Sequence, residues 1–172
     1  IDVTERIVNV VETDRNGKLT REWPGGGGLS GNTMPTEGVW IELRSDTWGR
    51  ICSELGSKEA GAALESCERL IWGLFQARAG LCDSQDYSVA SEVCGDGSAG
   101  IYIYDQVYDG IGLTTDRFED VEELLGICLE HLDSCPCKED EGCLGCIANP
   151  REDDHLASKA GARCIIERIL LE

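Results

Sequence analysis

The segment "SCPCKEDEGCLGC", residues 134–146, sets four thiols in the order Cys135-x-Cys137-x5-Cys143-x2-Cys146. Two short-range pairs joined by a loop can fold around one point at the distance of tetrahedral zinc–sulfur bonds. Gly142 and Gly145 flank the third cysteine, and glycine relaxes the steric limits where a chain turns tightly around an ion. Pro136 stiffens the first pair. Four thiolates fill every position of a tetrahedral ion, so such a site holds structure together and leaves no place for an activated water. Cys135, Cys137, Cys143 and Cys146 are therefore the candidate metal ligands, with one structural zinc the candidate ion. Disulfides, redox chemistry and an iron–sulfur cluster compete for the same thiols. A redox pair at Cys143 and Cys146 needs a helix start to depress a thiol pKa, whereas the acidic run between the pairs raises it. His131 lies four residues before Cys135, with Cys128 another turn back, a spacing that permits a mixed ligand set. An exposed His131 and a packed Cys128 are the simpler expectation.

The remaining cysteines, Cys52, Cys67, Cys82, Cys94, Cys128 and Cys164, are scattered singly. A secreted disulfide scaffold is short and poor in core, but this chain of 172 residues carries apolar periodicity throughout. "ERIVNVVET" and "LTREW" form a hairpin around Asn16-Gly17, which suits a tight two-residue turn. The glycine-rich stretch at 24–38 is a loop; its glycines lack the lysine and hydroxyl residue of a phosphate cradle. "VWIEL" at 39–43 alternates as a strand, with Val39, Ile41 and Leu43 on one side. Residues 57–79 have helical period through Ala63, Cys67, Leu70, Ile71 and Leu74. The polar stretch from 81 to 98 is mostly loop, and "AGIYIYDQV" is a strand. "DRFEDVEELLGICLEHLDS" is a helix with Phe118, Val121, Leu125, Cys128 and Leu132 on one face. "DDHLASKAGARCIIERILLE" is a last amphipathic helix, capped by Asp153 or Asp154 and carrying Leu156, Ala160, Cys164, Ile165 and Ile169.

The expected fold is α+β, a small mixed sheet with packed helices and a four-cysteine zinc knuckle. One domain is expected over 1–172: a hairpin and glycine-rich loop in 1–36, an α+β core in 37–133, the zinc segment in 134–150 and a C-terminal helix in 151–172. The chain opens at Ile1 and its single methionine is Met34, as in a piece of a longer polypeptide. It has no long apolar run and no basic-then-apolar amino terminus, so a soluble, cytoplasmic protein is expected.

The net charge is −18, from 33 acidic and 15 basic residues, and only four of the basic ones are lysines. Such a balance repels phosphates and disfavours a stand-alone nucleic-acid binder. A high-salt host and a basic partner domain explain it equally well. The densest basic group is Arg151, Lys159, Arg163 and Arg168, whose simplest partners are Glu152, Asp153, Asp154 and Glu167 on the same helix surface. Tyr102, Tyr104 and Tyr108 could stack on a base, but strand aromatics belong more often to the core. As an enzyme, the chain would offer Asp105, Asp109, His131 and His155 as acid–base groups. No nucleophile with an adjacent base joins them.

The order of features resembles the carboxy-terminal zinc-binding domain of MrfA-type DEAD/DEAH-box helicases. The strand and glycine turn "IYIYDQVYDGIG" (101–112), the helix "FEDVEELLGICLEHLDS" and the cluster "CPCKEDEGCLGC" follow one another as in that family. "GVWIEL" and "LCDSQD" precede them, and "LASKAGARCIIERIL" follows. The resemblance covers about residues 37–170. It departs from the family at Asp109-Gly110, where a glycine pair is usual, at Leu144, where a proline often follows the third cysteine, and in the long acidic spacer. It implies an accessory domain at the tail of a superfamily 2 helicase, packed on the motor domains of the same polypeptide and shaping a single-stranded DNA path in repair or anti-phage defence. The alternative from another class is a free-standing zinc adaptor for protein partners.

Neither a GxxxxGK[ST] phosphate loop nor a DEAH-type acidic box occurs in the chain, and these parts hold nucleotide and magnesium in such motors. The isolated chain is accordingly expected not to hydrolyse ATP in a coupled assay. Turnover above buffer that a point substitution in this chain abolishes would overturn that expectation.

Overall fold

The computed structural model describes residues 2–4, 9–13, 19–24, 33–79, 85–112, 114, 121–139, 142–147 and 158–171. Two small antiparallel ladders come first. Strand β1 (Asp2–Thr4) pairs with β4 (Thr33–Pro35), and β2 (Asn9–Thr13) pairs with β3 (Leu19–Pro24). The second ladder is the expected hairpin, although its Asn16-Gly17 turn lies outside the described residues. The first was not expected, since β4 sits within the stretch assigned to loop. Residues 25–32, Phe118, Cys82 and 151–157 also lie outside the described residues.

The core begins with β5 (Gly38–Leu43), where Ile41 and Leu43 are buried while Trp40 and Glu42 face outward, as the alternation requires. Helix α1 (Ser45–Leu55) follows and buries Trp48 and Ile51. Its signal, Trp48, Ile51 and Leu55 at helical spacing, is present but weakened by Gly49 in a short segment. Gly56, at φ 92°, separates it from α2 (Ser57–Ala79), because that left-handed angle ends one helix before Gly56 O accepts the Ala60 N–H of the next. Strand β6 (Tyr87–Val93) stands where mostly loop was expected. Its serines dilute the apolar pattern, yet Tyr87 and Val89 are buried and the whole strand ladders onto β7 (Ala99–Asp105).

Strand order is β5-β7-β6, with every pairing antiparallel. The α+β class holds, but the expected mixed sheet has no parallel neighbours. Strands β5 and β6 share a direction across the α1–α2 crossover, and β7 inserts between them in the opposite sense. Ile41, Ile101, Ile103 and Val89 form the inner face, covered by Leu64, Cys67, Leu70, Ile71 and Phe75 of α2. Tyr87 packs against Phe75 at a ring separation of 4.3 Å and donates its hydroxyl to Trp72 O at 2.7 Å. Helices α3 (Val121–Ser134) and α4 (Lys159–Leu170) complete the core with Leu124, Leu125, Cys128 and Leu132, and with Ala162, Ile165 and Ile166. The cap of α4 is Ser158 in place of Asp153 or Asp154, its hydroxyl accepting the Gly161 N–H at 3.0 Å.

At the end of β7, Asp105 is fully buried and organises the following turn. One carboxylate oxygen accepts the Ile111 N–H at 2.8 Å and the other the Thr114 N–H at 3.0 Å, while Thr36 donates to its carbonyl at 2.7 Å. Asp109 and Gly110 then take left-handed angles, φ 64° and 70°. A Cβ on Gly110 would meet Glu37 side-chain atoms at 2.7 Å, so this half of the departed glycine pair is a steric requirement. Hydrogen bonds to a buried charged acceptor contribute about 1.5–3 kcal/mol. Asp105→Ala should therefore lower unfolding stability by about 2–4 kcal/mol in a urea titration, with amide exchange rising over 106–112 before the rest of the sheet.

Candidate metal centre

Helix α3 delivers the first thiol. The Cys135 N–H still bonds back to His131 O at 3.1 Å, so Cys135 leaves from the last helical turn, and Pro136 diverts the chain toward Cys137. The second pair sits on a tight turn closed by Cys146 N–H to Cys143 O at 2.9 Å, with the Cys143 N–H directed at Cys146 Sγ at 3.3 Å. Gly145 does not take the left-handed angle anticipated for it, and a Cβ there would sit 3.6 Å from Cys143 Sγ, an ordinary contact. Ile147, fully buried, pins this turn to the core.

The four sulfurs converge. Cys135 and Cys137 are 3.5 Å apart, Cys135 and Cys143 3.5 Å, Cys137 and Cys146 3.6 Å, and Cys143 and Cys146 3.7 Å. A disulfide would bring two of them to about 2.0 Å, whereas a tetrahedron with metal–sulfur bonds of about 2.3 Å has edges of about 3.8 Å. The donors and their spacing thus fit a closed thiolate site for one zinc. This is the one such group of metal-ligating side chains among the described residues. Without an ion the thiols titrate unequally. The Cys137 N–H and neighbouring thiols hold the Cys135 thiol down at about 7, while lost hydration pushes Cys137 up to about 12.

His131 does not join the sulfurs. It is partly buried, not exposed as anticipated, and its Nε2 donates to Gly145 O at 2.7 Å, bracing the second turn. Cys128 is packed as expected, and burial pushes its thiol up to about 12. Burial also raises Cys67 well above the usual range, and its Sγ lies 3.2 Å from Ala162 O. Protonated thiols are poor metal ligands. Cys164 is partly buried and outside the cluster.

Two features were not legible in the sequence. Lys159, assigned to a solvated helix surface, is only 2% exposed, and its Nζ donates to Cys135 O at 2.9 Å and Cys137 O at 3.2 Å, with Glu139 Oε1 3.4 Å away. Arg163 pairs with Asp133 at 2.7 Å and Arg168 with Glu54 at 2.8 Å, both on other elements. Of the candidate acid–base residues, His155 lies outside the described residues; among the others, Asp105 is occupied by backbone N–H groups, His131 bonds to Gly145 O, and the exposed Asp109 donates its own N–H to Pro35 O. Of the tyrosines, Tyr104 is buried, Tyr102 stacks on Trp40 at 5.6 Å and Tyr108 is exposed.

Fold and centre together define an α+β zinc-binding domain with four cysteines positioned to hold one metal ion. Residues 67–147, just under half of the chain, match the family described as the MrfA Zn-binding domain. The ATP-dependent helicase hrq1 of Schizosaccharomyces pombe is 32% identical over 79 residues, 42% of this chain and 7% of that protein. The crystal structure of the DUF1998 helicase MrfA bound to DNA shares the fold, with a TM-score of 0.69 and 19% identity over 98% of this chain and 21% of that one. The same helicase with DNA and AMPPNP matches with a TM-score of 0.56 and 18% identity over 96% of this chain and 20% of that one. The chain therefore spans about a fifth or less of the length of these relatives. No described helix is long and apolar enough to cross a membrane.

Cys143→Ser should abolish stoichiometric zinc and raise amide exchange over 135–147, while Cys164→Ser should leave metal content unchanged; elemental analysis checks both. Zinc binding displaces thiol protons, so affinity should fall as pH drops from about 7 toward 5. Zinc retained by Cys143→Ser at wild-type affinity would remove that residue from the ligand set.

Proposed function

We propose that Cys135, Cys137, Cys143 and Cys146 ligate one structural zinc, and that this chain is a non-catalytic accessory domain of an MrfA-type DEAD/DEAH-box helicase. The convergence of four sulfurs at tetrahedral spacing within a helicase zinc-binding domain carries this reading. Bound zinc supplies a cross-link between the end of α3 and the Cys143–Cys146 turn. The protein's own residues do the rest: Ile147 anchors the turn and His131 braces it. Lys159 ties the first cysteine pair to α4.

In this role the domain packs on the motor domains of the same polypeptide and walls a single-strand path in DNA repair or defence, while the motor supplies DNA affinity. The likeness to a helicase fold bound to DNA supports the setting, and the charge of −18 supports the division of labour. Three of the four clustered cations, Lys159, Arg163 and Arg168, are engaged by Glu139, Asp133 and Glu54, which leaves them poorly placed to gather phosphates. Arg151 lies outside the described residues.

Fluorescence anisotropy with a labelled single-stranded oligonucleotide tests the DNA side. The isolated chain should bind no tighter than the non-specific range of roughly 10⁻⁴–10⁻⁶ M at physiological salt. Submicromolar affinity persisting at about 200 mM salt would mean that stacking or shape contacts outweigh the charge, and the domain would then be a strand binder in its own right.

A further inference from the structure

We propose that Lys159 makes metal binding and docking of α4 a single coupled event, so that the zinc centre latches the C-terminal helix onto the core. The inference rests on the assignment of the four cysteines to zinc. An ammonium buried to 2% exposure is tolerated only when its donors are used. Lys159 has three N–H donors and three acceptors around it: the carbonyls of Cys135 and Cys137 and the carboxylate of Glu139. Both carbonyls belong to candidate ligands, so a side chain of α4 orients the peptide planes of the first cysteine pair.

The tie runs in both directions. Glu139 O accepts the Ala160 N–H at 2.9 Å and the Ser158 hydroxyl at 3.4 Å, so the metal segment satisfies one of the backbone donors that the start of a helix leaves unpaired. Farther along, α4 is set in the core through Ala162, Ile165 and Ile166. Its close approach to α2 leaves a Cβ on Gly161 only 2.8 Å from Ala63 Cβ. Loosening Cys135–Glu139 removes the acceptors of a buried cation, and lifting α4 removes the donors that hold those carbonyls. Four thiolates around a divalent ion also carry two net negative charges, and the buried ammonium beside them offsets part of that excess. Coupling between two sites is reciprocal, so each effect is measurable from the other end.

Two measurements on the full chain test it: the zinc dissociation constant by chelator competition at fixed pH, and amide exchange over 162–169 with and without zinc. Lys159→Met should weaken zinc about 10–100-fold, the usual effect of losing a partner behind the ligands. Gly161→Ala touches no ligand, and should weaken zinc several-fold by lifting α4 from Ala63. Removing zinc from the wild type should raise exchange across α4 at least tenfold, and in Lys159→Met that increment should largely vanish. If Lys159→Met does not fold, the wild-type exchange and Gly161→Ala decide. Wild-type α4 protection that is unchanged on zinc removal overturns the coupling while leaving the metal assignment standing. A wild-type chain that takes up no zinc overturns both.

Discussion

Four cysteine sulfurs all within 4.8 Å of one another, four of their separations 3.5–3.7 Å and no bond between any two of them, form the constraint on which the carboxy-terminal half of the structure depends. The segment that carries them has little apolar content with which to fold itself. Ordering the described residues between Cys135 and Cys146 costs about 1–2 kcal/mol each in backbone entropy. Burying Ile147 returns only about 2–3 kcal/mol. A structural zinc held by thiolates contributes about 10–16 kcal/mol, the one available term of the required size. The remaining contacts, His131 to Gly145 O and Lys159 to two carbonyls, decide where the knuckle sits more than whether it forms.

The same economy of cations shapes the electrostatics. The chain has 15 basic residues against 33 acidic ones, and the basic residues of α4 turn toward other elements of the domain. Lys159 is spent inside. Arg163 spans the end of α3 and the acidic spacer, reaching Asp133 and Glu139, and Arg168 forks onto Glu54 of α1. Exposed pairs of this kind add at most about 1 kcal/mol each, so their consequence lies less in stability than in what remains outside. What remains is an acidic excess, which opposes contact with phosphates and suits contact with a basic protein surface. The spacer that departs from the family pattern in length and charge has a use in this arrangement, since its Glu139 meets both Lys159 and Arg163.

Elements whose evidence is local were legible from the amino-acid order. The alternation of Val39, Ile41 and Leu43, the helical period from Ser57 to Ala79 and the apolar face of α3 each encode their own conformation, because burial of one face follows directly from a two-residue or 3.6-residue period. The cysteine spacing is equally local: all four sulfurs come from a single short segment, so convergence needs only two turns. Tertiary contacts decided the rest. Strand β6 exists because β7 offers it a ladder, although Ser88 and Ser91 blur its period. Asp105 anchors a turn rather than doing acid–base work because Ile111 and Thr114 fold back on it. Lys159 is a buried partner of the metal segment rather than a solvated surface residue because α4 returns to the cysteines across more than twenty positions of chain. Periodicity and spacing report on neighbours along the chain, whereas the burial of a charge depends on which distant acceptors the fold brings to it, and no local pattern records that.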